Sequence, residues 1–216
     1  MPNSNVPPRA FTWNYDRAEL IADGIVHGVG VALAVIGAVA LAIVSRAAPS
    51  VLVYAAGLVA ALGISAAYNM WPVSPRKWLL RRFDHSAIYL LIAATYTPFV
   101  VEMRTGTAVA LLVFIWCVAI VGILMKLLLP GRFDRLSIAL YLFLGWSGVM
   151  IFRPVVAVLP ATTLWLLAAG GLLYTAGVAF HVWKGLRFHN VIWHGFVLAA
   201  ALCHYSALFA LTLSEG

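Results

Sequence analysis

The residues able to do chemistry fall at helical spacing inside otherwise apolar sequence. Glu19, Asp23 and His27 stand at i, i+4 and i+8, Ser65 and Asn69 at i and i+4, Asp84 and His85 side by side, and Asn190 and His194 again at i and i+4. On a helix these intervals put each set on one face. Carboxylates and imidazoles gathered in this way can transfer protons or hold a divalent cation. Each also has a plainer use taken alone: an Asp at a helix start caps it, and Asp84 with His85 beside it fits that reading. His204 lies ten residues past His194, about 15 Å further along a helix, and fits packing as well as site membership. His181 reads as interfacial, and Tyr96, Thr97 and Pro98 as a kink with a local hydroxyl partner.

The elements that must position these residues are membrane spans. Hydrophobic residues make up 64% of the 216 and charged residues 10%, against roughly 45–50% and 25% in a soluble domain. Apolar runs bounded by charges, Pro or Gly predict spans at about 19–44, 51–68, 84–101, 107–129, 136–152, 162–183 and 190–213. None alternates with period two, so the expected fold is all-α, a polytopic membrane bundle of seven helices. Residues 1–17 are expected to form an exposed cytoplasmic tail with no cleavable signal, and 18–216 a single transmembrane domain. Cys117 and Cys203 both lie in apolar runs and build no disulfide framework.

Seven spans place the termini on opposite sides. The formal charge is +7, which in a chain this apolar points to loops facing anionic lipid rather than to nucleic acid. Arg9, Arg17, Arg76, Lys77, Arg81, Arg82, Lys126, Arg132, Arg135, Lys184 and Arg187 fall on the N-terminal side; Arg46, Arg104 and Arg153 complete the 14 basic residues on the other. The positive-inside rule then predicts a cytoplasmic N-terminus and an external C-terminus. The polar ends of spans one, two, three and seven are thereby gathered into the cytoplasmic leaflet. Trp13, Trp71, Trp78 and Trp183 fit an interfacial aromatic belt.

Three segments in order, ELIADGIVHGVG (19–30), RRFDHSAIYLLIAATYTPF (81–99) and IWHGFVLAAALCHY (192–205), resemble the hemolysin III family, the bacterial branch of the progestin and adiponectin receptor superfamily. The resemblance covers nearly the whole chain. It implies a seven-helix fold in the bacterial inner membrane, a zinc ion near the cytoplasmic face, and roles in membrane-lipid homeostasis, lipid-amide hydrolysis or haemolysis. It also implies a zinc-binding His four residues after the Ser of span two, an HxxxH opening span seven, and an Asp in span three that orients a zinc-bound water. Asp84 matches that Asp, and His194 the second His of span seven.

At the other two ligand positions this chain carries Asn69 and Asn190. A neutral amide oxygen is a weak donor to zinc, so one imidazole and one carboxylate would hold the ion poorly. His27 is a candidate recruit. His189 is another, although five residues from His194 place it about 140° around a regular helix. The other reading keeps the site metal-free: Asn69 and Asn190 each donate and accept, and could bond across the gap to join spans two and seven. Three functions stay open. One is a protein of membrane-lipid homeostasis with a lipid-accessible polar cavity. Another is a zinc-dependent, ceramidase-like lipid-amide hydrolase with Asp84 positioning water. The last is a pore-forming haemolysin, which would need a polar lining through the whole membrane thickness. Membrane lipids are the expected partners in each case.

Overall fold

The computed structural model describes residues 15–215. Residues 1–14 of the expected tail, Arg9 and Trp13 among them, lie outside the described residues. Among the described residues eight α-helices run in order: α1 (Arg17–Val44), α2 (Pro49–Met70), α3 (Pro75–Met103), α4 (Gly106–Leu128), α5 (Asp134–Trp146), α6 (Phe152–Val158), α7 (Ala161–Val182) and α8 (His189–Glu215). A 3₁₀ segment, Ser147–Ile151, links α5 to α6, and together they make one span. Seven helical segments are long and apolar enough to cross a membrane. The chain is a multi-pass membrane protein.

Local chemistry starts these helices where the site needs them. Asp16 caps α1 in a capping box: its carboxylate accepts from Glu19 N at 2.9 Å and Glu19 Oε2 accepts from Asp16 N at 2.9 Å. Ser74 caps α3, with Pro75 at its first position. The third helix therefore begins nine residues before Asp84. Asp84 is not the helix cap expected from the sequence; it lies well inside α3, because the charged stretch PRKWLLRRF is helical too. The polar ends of α1, α2, α3 and α8 sit at the same end of the bundle, as the alternation of seven spans requires.

α3 is the central element, packed against α2, α4, α5, α6 and α8, while α1 and α7 each pack on α8. Glycines let ring side chains seat between helices where close approach is needed. A Cβ on Gly122 would meet the Tyr89 ring at 2.5 Å, and one on Gly170 would collide with the His204 ring. His204 is a packing residue here, its Nε2 3.2 Å from the Leu167 carbonyl. Trp71 and Trp183 are exposed as a belt requires, but Trp78 is buried beneath Gly131, with the Arg81 guanidinium over its ring.

The break in the fifth span is held by a side chain from α3. Tyr96 Oη donates to Gly145 O at 2.8 Å and accepts from Gly148 N at 2.8 Å, so one phenol satisfies backbone groups on both sides of the break. On the next residue Thr97 Oγ1 donates to Ala93 O at 2.8 Å, one turn before Pro98, which supplies no N–H of its own. Trp116 Nε1 in turn donates to Thr97 at 3.2 Å.

Candidate functional site

Asp23 is the centre of the site. Two turns into α1, it is 4% exposed, with His27 at 5% and His194 at 8%. Asp23 Oδ1 lies 2.6 Å from His194 Nδ1, and Oδ2 lies 3.6 Å from His27 Nε2. The two imidazole rings are 4.3 Å apart, centroid to centroid. Helical spacing puts His27 one turn above Asp23, and packing of α8 on α1 brings in His194.

A pair of linked carboxamides braces that carboxylate from one side. Asn190 Nδ2 donates to Asp23 Oδ2 at 3.2 Å and to Asn69 Oδ1 at 3.3 Å, so the two amides join α2 to α8 across the gap. Asn69 Nδ2 donates back along its own helix to Ser65 O at 2.9 Å. The end of α2 is held by Lys77, buried, whose Nζ donates to Asn69 O at 2.9 Å and Trp71 O at 2.8 Å. Each amide is engaged and fixes the donor group beside it.

Beside the triad is a cavity of about 60 Å³, lined at its polar side by His27, Ser65, Asp84 and His194 and elsewhere by apolar residues and Trp193. Such a space holds a few waters. Asp84 and Ser65 face the cavity together from α3 and α2. The site thus comprises a carboxylate–imidazole cluster on one wall and a second carboxylate on another.

The donor set fits a metal ion. Asp23, His27 and His194 offer ligand atoms all within 4.8 Å of one another, and one carboxylate with two imidazoles suits zinc and related divalent ions. His27 Nε2 is buried with no hydrogen-bond partner, an orphan that a cation would satisfy. The ligand set implied by positions 69, 190 and 194 does not fit, because two of its members are amides bonded to each other and to protein groups.

Other expected members stand apart. Glu19 is a structural tie: beyond its capping box, its Oε1 accepts from Phe188 N at 2.8 Å, fixing the loop before α8. His189 is not in the cluster; it begins α8 with its Nδ1 buried and unpartnered and its ring 5.9 Å from Tyr15. His85 is not in the cluster; among its titratable neighbours are Arg81, Asp134, Lys126 and His181. His204 lines more distant apolar space. At the N-terminal end of the site lies Tyr15, with Asp23, Glu19 and Tyr68 among its neighbours; burial pushes its phenol up to about 12.

Sequence reasoning missed a second charge cluster. Asp134 receives Arg81 Nη2 and Lys126 Nζ at 2.7 Å each, tying α3, α4 and α5 together, and Lys126 is only 2% exposed. The available signal was Asp134 eight residues after Lys126, across the Pro130-Gly131 turn.

A helical bundle of seven spans with a buried carboxylate–imidazole cluster at one end defines the class: an integral membrane protein with an intramembrane polar site. Residues 18–205 match the family described as Haemolysin-III related. The chain is 36% identical over 199 residues to the Hemolysin-3 homolog of Bacillus subtilis (strain 168), covering 88% of this chain and 93% of that protein. Hemolysin-3 of Bacillus cereus is 35% identical over 199 residues, covering 88% and 91%. The human Monocyte to macrophage differentiation factor is 31% identical over 166 residues, covering 73% and 68%. This chain belongs to the hemolysin III family.

Proposed function

We propose that this protein serves membrane-lipid homeostasis through a zinc site held by Asp23, His27 and His194 in the cytoplasmic leaflet. The observation that carries this reading is the buried three-donor cluster beside a cavity inside a membrane bundle. The excess of basic residues at that end supports the orientation. Zinc would supply Lewis acidity toward the polar end of a lipid. The chain's own residues do the rest. Asn190 fixes the Asp23 carboxylate and is itself held by Asn69, Asp23 orients His194, and the apolar walls keep bulk water out.

Hydrolysis of a lipid amide is the second reading, and Asp84 favours it. Asp84 lines the same cavity as the imidazoles, where its carboxylate can position a water and take its proton. A conducting pore has less support: among the described residues, the carboxylate–imidazole cluster and the Arg81–Asp134–Lys126 cluster lie at one end of the bundle, whereas a cavity of about 500 Å³ toward the other end is mainly apolar.

Metal analysis of untagged protein, purified without chelator, tests the proposal. Near-stoichiometric zinc is expected in the wild type and its loss in Asp23→Asn and His194→Ala, with membrane lipid composition altered in cells carrying either variant. Metal-free wild type that becomes loaded only in Asn69→His/Asn190→His would overturn the triad as a native site. Unchanged lipid composition on deletion would overturn the lipid role.

A further inference from the structure

The polar cavity is the first of three spaces in line. Ile88, Leu91 and Trp193 line both it and a second cavity of about 120 Å³ among α3, α5, α7 and α8. A third space, about 500 Å³, is a groove between the far half of α3, the broken fifth span and α7. The second and third share Thr95, Tyr96, Gly145, Trp146, Gly171 and His204. Lining residues on α7 run from Ala161 to His181, a rise of about 30 Å, the thickness of the apolar layer. Along the groove Val149, Phe152, Val156 and Trp165 are exposed. In a membrane-spanning bundle such a face meets hydrocarbon, so what fills the groove is a lipid chain.

Trp146 stands at the junction. It is the last residue of α5, next to the break. Its Nε1 donates to Thr175 Oγ1 at 3.0 Å, and that hydroxyl donates on to Gly171 O at 2.7 Å. The indole lies against Gly171, where an added Cβ would come within 3.4 Å of the ring. A single hydrogen bond therefore holds the indole between the two spaces, while the break itself is held independently by Tyr96.

We infer that Trp146 is a specificity-determining residue that partitions an acyl-chain track running from the lipid-facing groove toward the polar site. The inference rests on the lipid reading proposed above and adds the route and its divider. The occupant is one acyl chain of a membrane amphiphile that enters from the groove. With the indole in place the chain is confined to the groove; with it displaced the chain also enters the inner compartment that adjoins the cavity of Asp84 and His194.

The test uses the full chain in phosphatidylcholine nanodiscs containing a fatty acid with a diazirine near its chain end, with adducts mapped by mass spectrometry. In the wild type, labelling is expected on groove residues such as Phe152 and Leu164, several-fold above the lipid-exposed face of α1 at Ile36 and Val39. Trp146→Ala should move label several-fold toward Leu142 and Val178 of the inner compartment. Thr175→Val, which keeps the shape and removes the hydroxyl, should move it in the same direction; Trp146→Phe should move it less than Trp146→Ala. The same label map in all four proteins, or labelling no stronger in the groove than on α1, overturns the inference. Metal content measured on the same preparations separates the two proposals. Loss of the label shift with zinc retained sinks the track alone, and a label shift in zinc-free protein sinks the zinc site alone.

Discussion

Asp16 has two partners at the start of α1, the Glu19 amide of the capping box and the Arg187 guanidinium, 3.1 Å away. These hydrogen bonds and that charge hold its carboxyl below the usual range. A depressed carboxylate adds stability that is complete above its unfolded pKa, about 4, and is lost as pH falls through the folded value. Asp16→Asn keeps a cap but drops the charge. The difference in Tm between wild type and Asp16→Asn should therefore be full at pH 6 and shrink steadily as pH is lowered below 4; a pH-independent difference would contradict the assignment. Of the site residues, the i, i+4 spacing of Asp23 and His27 was legible in the sequence, as was the departure at Asn69 and Asn190. Which polar set forms the centre was not, because that depends on how α1 is rotated against α8. Asp23 thus appeared as a supporting residue, and Glu19 as its equal, although the structure spends Glu19 on the cap and the Phe188 amide.

Span five carries the clearest contrast at the level of elements. Seven apolar runs were readable from composition and length alone. The break at Ser147–Ile151 was not, because SGVMI is itself apolar and Tyr96, which stabilises the break, lies about fifty residues earlier in the chain. Tyr96→Phe leaves the Gly145 carbonyl, on the outer face of the bundle, and the half-buried Gly148 amide without that partner. It should cost about 1–3 kcal/mol, seen as a lower midpoint in thermal or denaturant unfolding and as faster amide exchange at Gly148. Unchanged protection there would show that the break is stable without the phenol. The start of α3 was misjudged for a related reason: charged residues before Asp84 look like loop, yet Ser74 and Pro75 form a helix start and Lys77 and Arg81 find partners within the protein.

Across the whole molecule, the Asp134 carboxylate holds two buried cations from two other helices, and its loss would remove an ion pair from each. Asp134→Ala should destabilise the bundle by several kcal/mol, whereas Asp134→Ala combined with Lys126→Met should recover part of the loss. A double-mutant cycle on unfolding checks this, and strict additivity would show that the cluster does not act as a unit. No apolar pattern announces this tie, since it joins residues from three helices across a turn. The phenol bridge at the fifth span has a further consequence for biogenesis. Two backbone groups of span five depend on a hydroxyl made earlier in the same chain, so span three must be in place before span five can settle in the bilayer. Chain order provides this during synthesis. A rearranged gene that delivers the fifth span first would ask the insertion machinery to release a broken helix into lipid with nothing to mend it.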